Sequence, residues 1–434
     1  MIKRFEQGVW MVRGGVVLAL VLALCLTLGA PTAGLAADKE FKIGCLSDLT
    51  GPFAAGTAPF WHGQQAYMRY VNEKLGGING VQVKAIPADC QLNLDKEVAA
   101  YKRFRDVDDV LIFFDLSSAG TAALAPMAKK DKIPHMYLDE PKAIFLKGNY
   151  YFGLVPIWAE TGAACFEWWL KNEWKESRPP KVALLTADYQ AGYTIAIYWR
   201  EYLKAKKIPI VVDMHTPLKT TDAMSYVEAL RKAGADVVVT GQTPGTDVVT
   251  IKTIGSLGLK IQVIQSIPSF LASDGLRKAV GEAGVGTLMG APNALLTETD
   301  VPAIKLVHEL WKEWYPDKPL PTMSFLIGWS EMSVTCEALK RAMKKHSYED
   351  LTKDVKKGRK ILKETLENDM RGYTGDGLFA PIEWSPTNHK ANAQVKVIRF
   401  GAGGALDVMT GLVAPPPLKD YQRDSKWWDA QLKK

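Results

Sequence analysis

Val110 to Pro126 reads VLIFFDLSSAGTAALAP, and the reading of this stretch decides the fold. Its apolar start, Val110 to Phe114, is too short for most helices and predicts a buried strand. Asp115 ends that strand, and Ser117, Ser118 and Gly120 make a small, polar turn. From Thr121 the chain is rich in Ala and Leu and predicts a helix. Hydroxyls and backbone N–H groups therefore gather at a helix N-terminus, which suits a carboxylate or another strongly polar group. Ser117 and Ser118 fit equally the simpler task of capping that helix.

The same rhythm runs outward in both directions. Phe41 to Ser47, Val81 to Ala88 and Ile133 to Leu138 read as strands, and Phe60 to Lys74 and Leu94 to Arg105 as helices. After Tyr150–Pro156 the pattern restarts. Thr161 to Asn172, Gly192 to Lys206, Ser225 to Ala233 and Thr246 to Leu257 predict helices there. Strands are expected at Lys181 to Thr186, Ile208 to Met214, Asp236 to Thr240 and Gln262 to Ile267. Strands alternating with helices imply right-handed crossovers and a parallel sheet covered on both faces. Two α/β units result, each with its own sheet. From Thr299 the spacing predicts helices over Val301 to Tyr315, Phe325 to Lys345 and Tyr348 to Asn368, then late strands near Phe379 and Val395. The tail, VAPPPLKDYQRDSKWWDAQLKK, is Pro-rich, then charged and aromatic, and reads as a surface extension.

In open α/β sheets ligands bind beyond the carboxyl ends of the strands. Ser117–Ser118 occupies such a position in the first unit, and Ala187–Tyr193 and Gln242–Pro244 in the second. Two rims facing each other make a cleft.

Bulk properties agree with this plan. A chain of 434 residues is too long for one ordinary core and fits two domains. The formal charge is +7, with Lys and Arg scattered among acids, which argues against nucleic-acid binding. Lys3, Arg4 and Arg13 precede an apolar run from Val16 to Leu28 and the small-residue segment APTAGLAA. That order is a secretory signal peptide, with cleavage expected after Ala36 or Ala37. The mature chain is expected to be exported, periplasmic or otherwise extracytoplasmic. It keeps Cys45, Cys90, Cys165 and Cys336. Export permits disulfides, and Cys45 with Cys90, each near the end of an early strand, is the expected pair; four free, buried thiols are the alternative and fit almost as well. No Cys/His spacing supports a metal site, and no cofactor is expected.

Several pieces in order resemble the type I periplasmic solute-binding proteins of ABC transporters, the branched-chain amino acid and amide group. They are IGCLSDLTGPFA, VNEKLGGINGVQVKAIPAD, FDLSSAGTAALAPMAKKDKIP and YVEALRKAGADVVVTG, within roughly Phe41 to Met409. The resemblance implies two Rossmann-like lobes joined by a three-segment hinge near Phe152–Val155, Leu288–Gly290 and Phe379–Ile382. Lobe 1 is then residues 38–153 plus 290–380, and lobe 2 residues 154–289 plus 381–412. Residues 1–37 are the leader and 413–434 the extension. A small solute would be held between the lobes of a monomer, and a membrane permease would recognise the closed form.

The family's carboxylate-holding serine turn falls on Ser117 and Ser118, with backbone groups toward Thr121, and its second first-lobe contact loop on Asp139 and Pro141. Given that match, ligand contact becomes the favoured role of Ser117–Ser118. Tyr189 and Thr243 are the expected contacts in lobe 2, with Phe53, Phe60, Trp61 and Phe325 as candidate aromatic walls. The chain departs from the family where an acid pairs with the ligand's α-amino group, since that loop reads Gln265-Ser266-Ile267. Burying an ammonium without an anion costs several kcal/mol. Either Asp139 or Glu140 supplies the charge, or the solute has no amino group, and the second is the expectation.

Two other functions compare differently with these features. A secreted enzyme lacks support, because GxSxG, HExxH and GxxxxGK[ST] are all missing. A sensor presenting its ligand to a membrane receptor would share every feature above, and sequence does not separate it from a transporter component.

Overall fold

A computed structural model describes residues 39–433 except 138–139, 269–270 and 272. The expected leader, 1–37, and Asp139 lie outside the described residues.

Lobe 1 begins with β1 (Glu40–Ser47), α1 (Ala54–Arg69, continued by a π-helical turn at Tyr70–Lys74) and β2 (Gln82–Asp89). There follow α2 (Leu94–Asp106), β3 (Ile112–Phe114), α3 (Ser118–Asp131), β4 (His135–Tyr137), the short α4 (Pro141–Ile144) and β5 (Tyr151–Gly153). The five strands lie in the order β2-β1-β3-β4-β5, and Ile43 sits beside Ile112, as Phe113 does beside His135, in parallel register. Every residue of β3 is buried, as a strand covered on both faces requires.

The chain then enters a second sheet through α5 (Trp158–Asn172), β6 (Val182–Ala187), α6 (Gln190–Lys206), β7 (Ile210–Thr216) and α7 (Met224–Ala233). It continues with β8 (Val237–Gly241), α8 (Pro244–Ser256), β9 (Gln262–Gln265), α9 (Asp274–Val280) and β10 (Leu288–Ala291). It returns to lobe 1 as α10 (Pro302–Trp314), α11 (Met323–Ala342), α12 (Tyr348–Thr352) and α13 (Val355–Asn368). Last come β11 (Lys396–Phe400) and β12 (Leu406–Val408), which close lobe 2, and α14 (Ser425–Leu432) in the tail. The second sheet has the order β12-β11-β10-β9-β8-β6-β7, parallel up to β10 and antiparallel beyond it. The chain thus passes between the sheets three times: after β5, after β10 and before β11.

Some expectations are corrected. The strand expected near Phe379 is a single bridge to Asn293. The helix expected over Tyr348 to Asn368 is two, because Asp354 accepts from the N–H groups of Lys356 and Lys357 and starts a new one. Helix α1 starts at Ala54, six residues earlier than Phe60. The Asp48 carboxylate accepts from Gly51 and Phe53 N–H, and the Thr57 hydroxyl donates to the Asp48 carbonyl at 2.6 Å. These bonds organise the turn ahead of the helix.

Cys45 and Cys90 are both buried and both free, so the expected disulfide is overturned. The reason is strand alternation. Phe41, Ile43 and Cys45 point into the core shared with α11, whereas Leu46 points to the opposite face, where Cys90 packs with Tyr101 and Phe104.

Helices α1 and α11 set the floor of the cleft. A Cβ on Gly63 would lie 2.0 Å from the Phe325 carbonyl oxygen, and one on Gly328 would lie 1.9 Å from that of Phe60. Only two glycines let the backbones approach so closely. The crossing turns Phe60 of one helix and Met323, Ser324 and Ile327 of the other toward the cleft.

Candidate functional site

The interlobe cleft leaves about 820 Å³ unfilled by protein, including its mouth. In lobe 1 the order of strands reverses at β1/β3, and in lobe 2 at β6/β8. The cleft lies outside those two switch points, where α/β sheets bind ligands. Phe53 follows β1 and Ser117–Ser118 follows β3. Ala187 ends β6, Tyr189 and Ala191 follow it, and Gln242–Pro244 follows β8.

Ser117 is the N-cap of α3. Its Oγ accepts from Gly120 N–H at 2.9 Å and donates to Glu97 Oε1 at 2.8 Å. Ser117 thus caps the helix and also lines the cleft. Glu97 lies beneath it, 1% exposed. Burial pushes its carboxyl up to about 8, and the nearby Asp115 and Asp48 add to the rise against the Ser117 hydrogen bond. From the other lobe, the Tyr189 hydroxyl is set against the Ser117 hydroxyl and the backbone N–H of Ala119. A phenol thus stands where the start of α3 offers its donors.

The lobe 2 rim is built differently. Thr243 precedes α8, whose first residue, Pro244, has no N–H. The Thr243 hydroxyl donates to the Leu218 carbonyl at 2.7 Å. Gln242 is fully buried, and its Nε2 donates to Thr216 Oγ1 at 3.1 Å, which fixes the amide. Its Oε1 has no hydrogen-bond partner among the described residues. In the loop where the family's acid is expected, Gln265 Nε2 donates to Asp247 and Ser266 Oγ accepts from Trp199 Nε1. Both turn into the lobe, and Ile267 is left on the cleft.

The remaining lining is apolar and aromatic, chiefly Phe53, Phe60, Leu92, Leu116, Tyr137, Trp158, Met323 and Ile327. Leu92 holds a left-handed backbone, φ 53°, which costs a branched residue about 1–2 kcal/mol. Among the described lining residues, none carries a formal charge at neutral pH.

Of the residues expected at the site, the structure brings Ser117, Ser118, Tyr189 and Thr243 together on the cleft. Trp61 is half-buried against the lobe 1 core, and Phe325 is 2% exposed with its ring 5.3 Å from that of Trp311. Thr121 is buried one turn into α3 beside Asp115, and Pro141 is buried as the first residue of α4. Gln242, Tyr137, Trp158 and Leu92 were not singled out as contacts. Gln242 had a signal, its place in the GQTPG rim. No group of three or more His, Cys, Asp or Glu among the described residues is placed to hold a metal ion. None of the described helices is long and apolar enough to cross a membrane.

Residues 40–405 match the family model described as periplasmic binding protein, and the chain belongs to that family. It is similar to the Leu/Ile/Val-binding protein homolog 7 of Brucella suis, at 25% identity over 56% of this chain and 62% of that protein. The match thus spans less than two thirds of the relative's length. Two solved structures share the fold. A branched-chain amino acid ABC transporter protein of Thermus thermophilus with bound valine has a TM-score of 0.76 at 18% identity, covering 87% of this chain and 97% of that one. A fatty acid ABC transporter substrate-binding protein of Thermomonospora curvata has a TM-score of 0.73 at 20% identity, covering 89% and 95%.

Proposed function

We propose that this protein is the extracytoplasmic solute receptor of an ABC importer. It captures a small, mainly apolar carboxylate or amide that has no cationic amine, and delivers it to a membrane permease. One observation carries the reading: the described lining of the cleft holds aromatic and aliphatic walls but no charged side chain. An ammonium there would lose its hydration and meet no charged group in the described lining, since the buried Glu140 carboxylate, though near Tyr189, caps α4 by accepting from Lys142 N–H. A carboxylate is better served, because the start of α3 offers N–H donors and a favourable dipole beside the hydroxyl of Ser118. At the far wall Gln242 Oε1 suits a hydrogen-bond donor on the solute, such as a hydroxyl or amide N–H.

In the closed form the solute displaces Tyr189 from the donors of α3, so binding exchanges an interlobe contact for two solute contacts. Closure is then favoured only by the added contacts of the bound state. The similarity to binding proteins named for valine and for fatty acids supports a solute with an apolar body.

A thermal-shift screen of refolded protein tests this, with branched-chain and aromatic amino acids beside aliphatic and aromatic carboxylates, amides and urea. Solute at a hundred times its Kd adds about 2.7 kcal/mol of stability. The expected result is a shift with amine-free carboxylates or amides. Shifts confined to amino acids would overturn the reading.

A further inference from the structure

The family match ends at residue 405, yet the chain beyond it is folded onto both lobes. Val413 pairs with Val395 through two backbone bonds of 2.8 and 3.0 Å, which anchors the start of the tail on lobe 2. Pro415–Pro417 lead into a 3₁₀ turn at Asp420–Arg423 and then into α14. Trp428 is 1% exposed, and its indole N–H donates to the Gln422 carbonyl at 2.7 Å, so the tail is also tied to itself.

Helix α14 packs against α6 of lobe 2 and α4 of lobe 1. The apolar cluster that contains Leu418 and Trp428 takes in Tyr198 and Leu203 of lobe 2 and Ala143 and Ile144 of lobe 1. The polar fastenings are equally divided. The Tyr421 hydroxyl donates to Glu201 of α6 at 2.9 Å, and Lys142 Nζ of α4 pairs with Asp429 at 2.6 Å. Arg423 borders a groove whose other walls are Ile144–Asn149 and Pro386–His389, the latter on the third crossing between the lobes.

We propose that the C-terminal extension is an interlobe clasp, which sets the population of the closed form, and hence solute affinity, without touching the solute. Lobe 1 cannot swing away from lobe 2 at α4 and α6 unless α14 leaves one of them. The two attachments differ in strength. Lobe 2 holds the tail by the Val413 pairing and the Tyr421 bond, whereas its polar hold on lobe 1 is an ion pair whose side chains are 33% and 42% exposed. An exposed pair is a weak bond, screened by salt, so the clasp releases lobe 1 first. Apparent affinity scales with the fraction of protein already competent to bind, so Lys142, Asp429 and Trp428 act as positioning residues for the cleft.

This inference rests on the hinge-closing reading above but on no particular solute. The four described cysteines are buried, so dyes attach selectively to cysteines introduced at the exposed Lys96 and Lys219, near cleft-lining Leu92 and Leu218 on opposite lobes. Single-molecule energy transfer on solute-free protein then reports lobe separation. Asp429→Lys is expected to raise the open fraction by about 1.4-fold to fivefold, the range of one exposed ion pair. The charge swap Lys142→Asp with Asp429→Lys is expected to restore it, and Trp428→Ala to open the lobes further. If Trp428→Ala does not fold, the swap pair alone decides. Lobes that move but ignore Asp429→Lys would overturn the clasp and leave the hinge intact. A single fixed separation in every variant, with every solute in the screen, would overturn the hinge reading and the clasp together.

Discussion

The two rims of the cleft share one plan, a strand end followed by a helix start, and reach opposite chemistry. In lobe 1, Ser117 caps α3 and leaves the first turn of that helix to present donors. In lobe 2, Pro244 removes a donor from α8, and Gln242 shows a carbonyl oxygen held by Thr216. A donor pole therefore faces an acceptor pole across apolar walls. The same supersecondary unit gives either polarity, depending on a residue or two beside the cap.

That contrast can be broken from either side. The largest effect is expected from Ile267→Glu, which places an anion at the acceptor pole. Titration calorimetry with the strongest hit of the screen should show affinity for an amine-free carboxylate falling by about 100-fold or more, the scale of an uncompensated buried charge. Affinity for the matching amino acid should rise. Equal losses for both would mean that position 267 does not face the solute's would-be amine. Next in size, Ser118→Ala should weaken binding by about 1–3 kcal/mol, the cost of leaving a polar solute group unpaired. An unchanged Kd would return Ser118 to a part in helix capping alone.

Gln242→Leu should cost about 1–2 kcal/mol for solutes that carry a donor and nothing for those that lack one. A loss independent of the donor would point instead to altered packing. A separate effect, on stability and not on affinity, concerns Glu97 beneath the donor pole. Its carboxyl titrates near 8 in the fold, against an ordinary value of 4.5. The folded protein thus keeps a proton that the unfolded chain releases, and the Glu97 contribution to stability is fully present below pH 4.5 and is lost as pH rises toward 8. Glu97→Gln should flatten the decline of Tm between pH 5 and 8. The Ser117 hydroxyl can still donate to the amide.

How far the sequence carries depends on which physical variable a feature needs. The alternation of strands and helices around Val110–Pro126 needs only periodicity, and it led to both sheets and both rims. Ser117 needs only its place before a helix. Trp61 and Phe325 needed helix phase as well. One step along a helix turns a side chain by about 100°. Phe60 and Ser324 therefore meet the cleft while the residues after them meet the core. Cys45 and Cys90 needed the face of a sheet, which depends on register and not on position along the strand. Gln242 stood in a visible turn, but its orientation depends on Thr216, 26 residues away, so its buried amide oxygen, unpartnered among the described residues, was not legible.

The three passages of the chain between sheets also govern how it is made. Lobe 1 lacks α10, α11, α12 and α13 until residues 302–368 have emerged, and the lobe 2 sheet lacks two strands until 396–408 follow. Neither core is complete until those late segments are in place, and such long-range pairing is slow to form. The last elements to emerge therefore finish both lobes, and neither lobe is completed by one continuous stretch of chain.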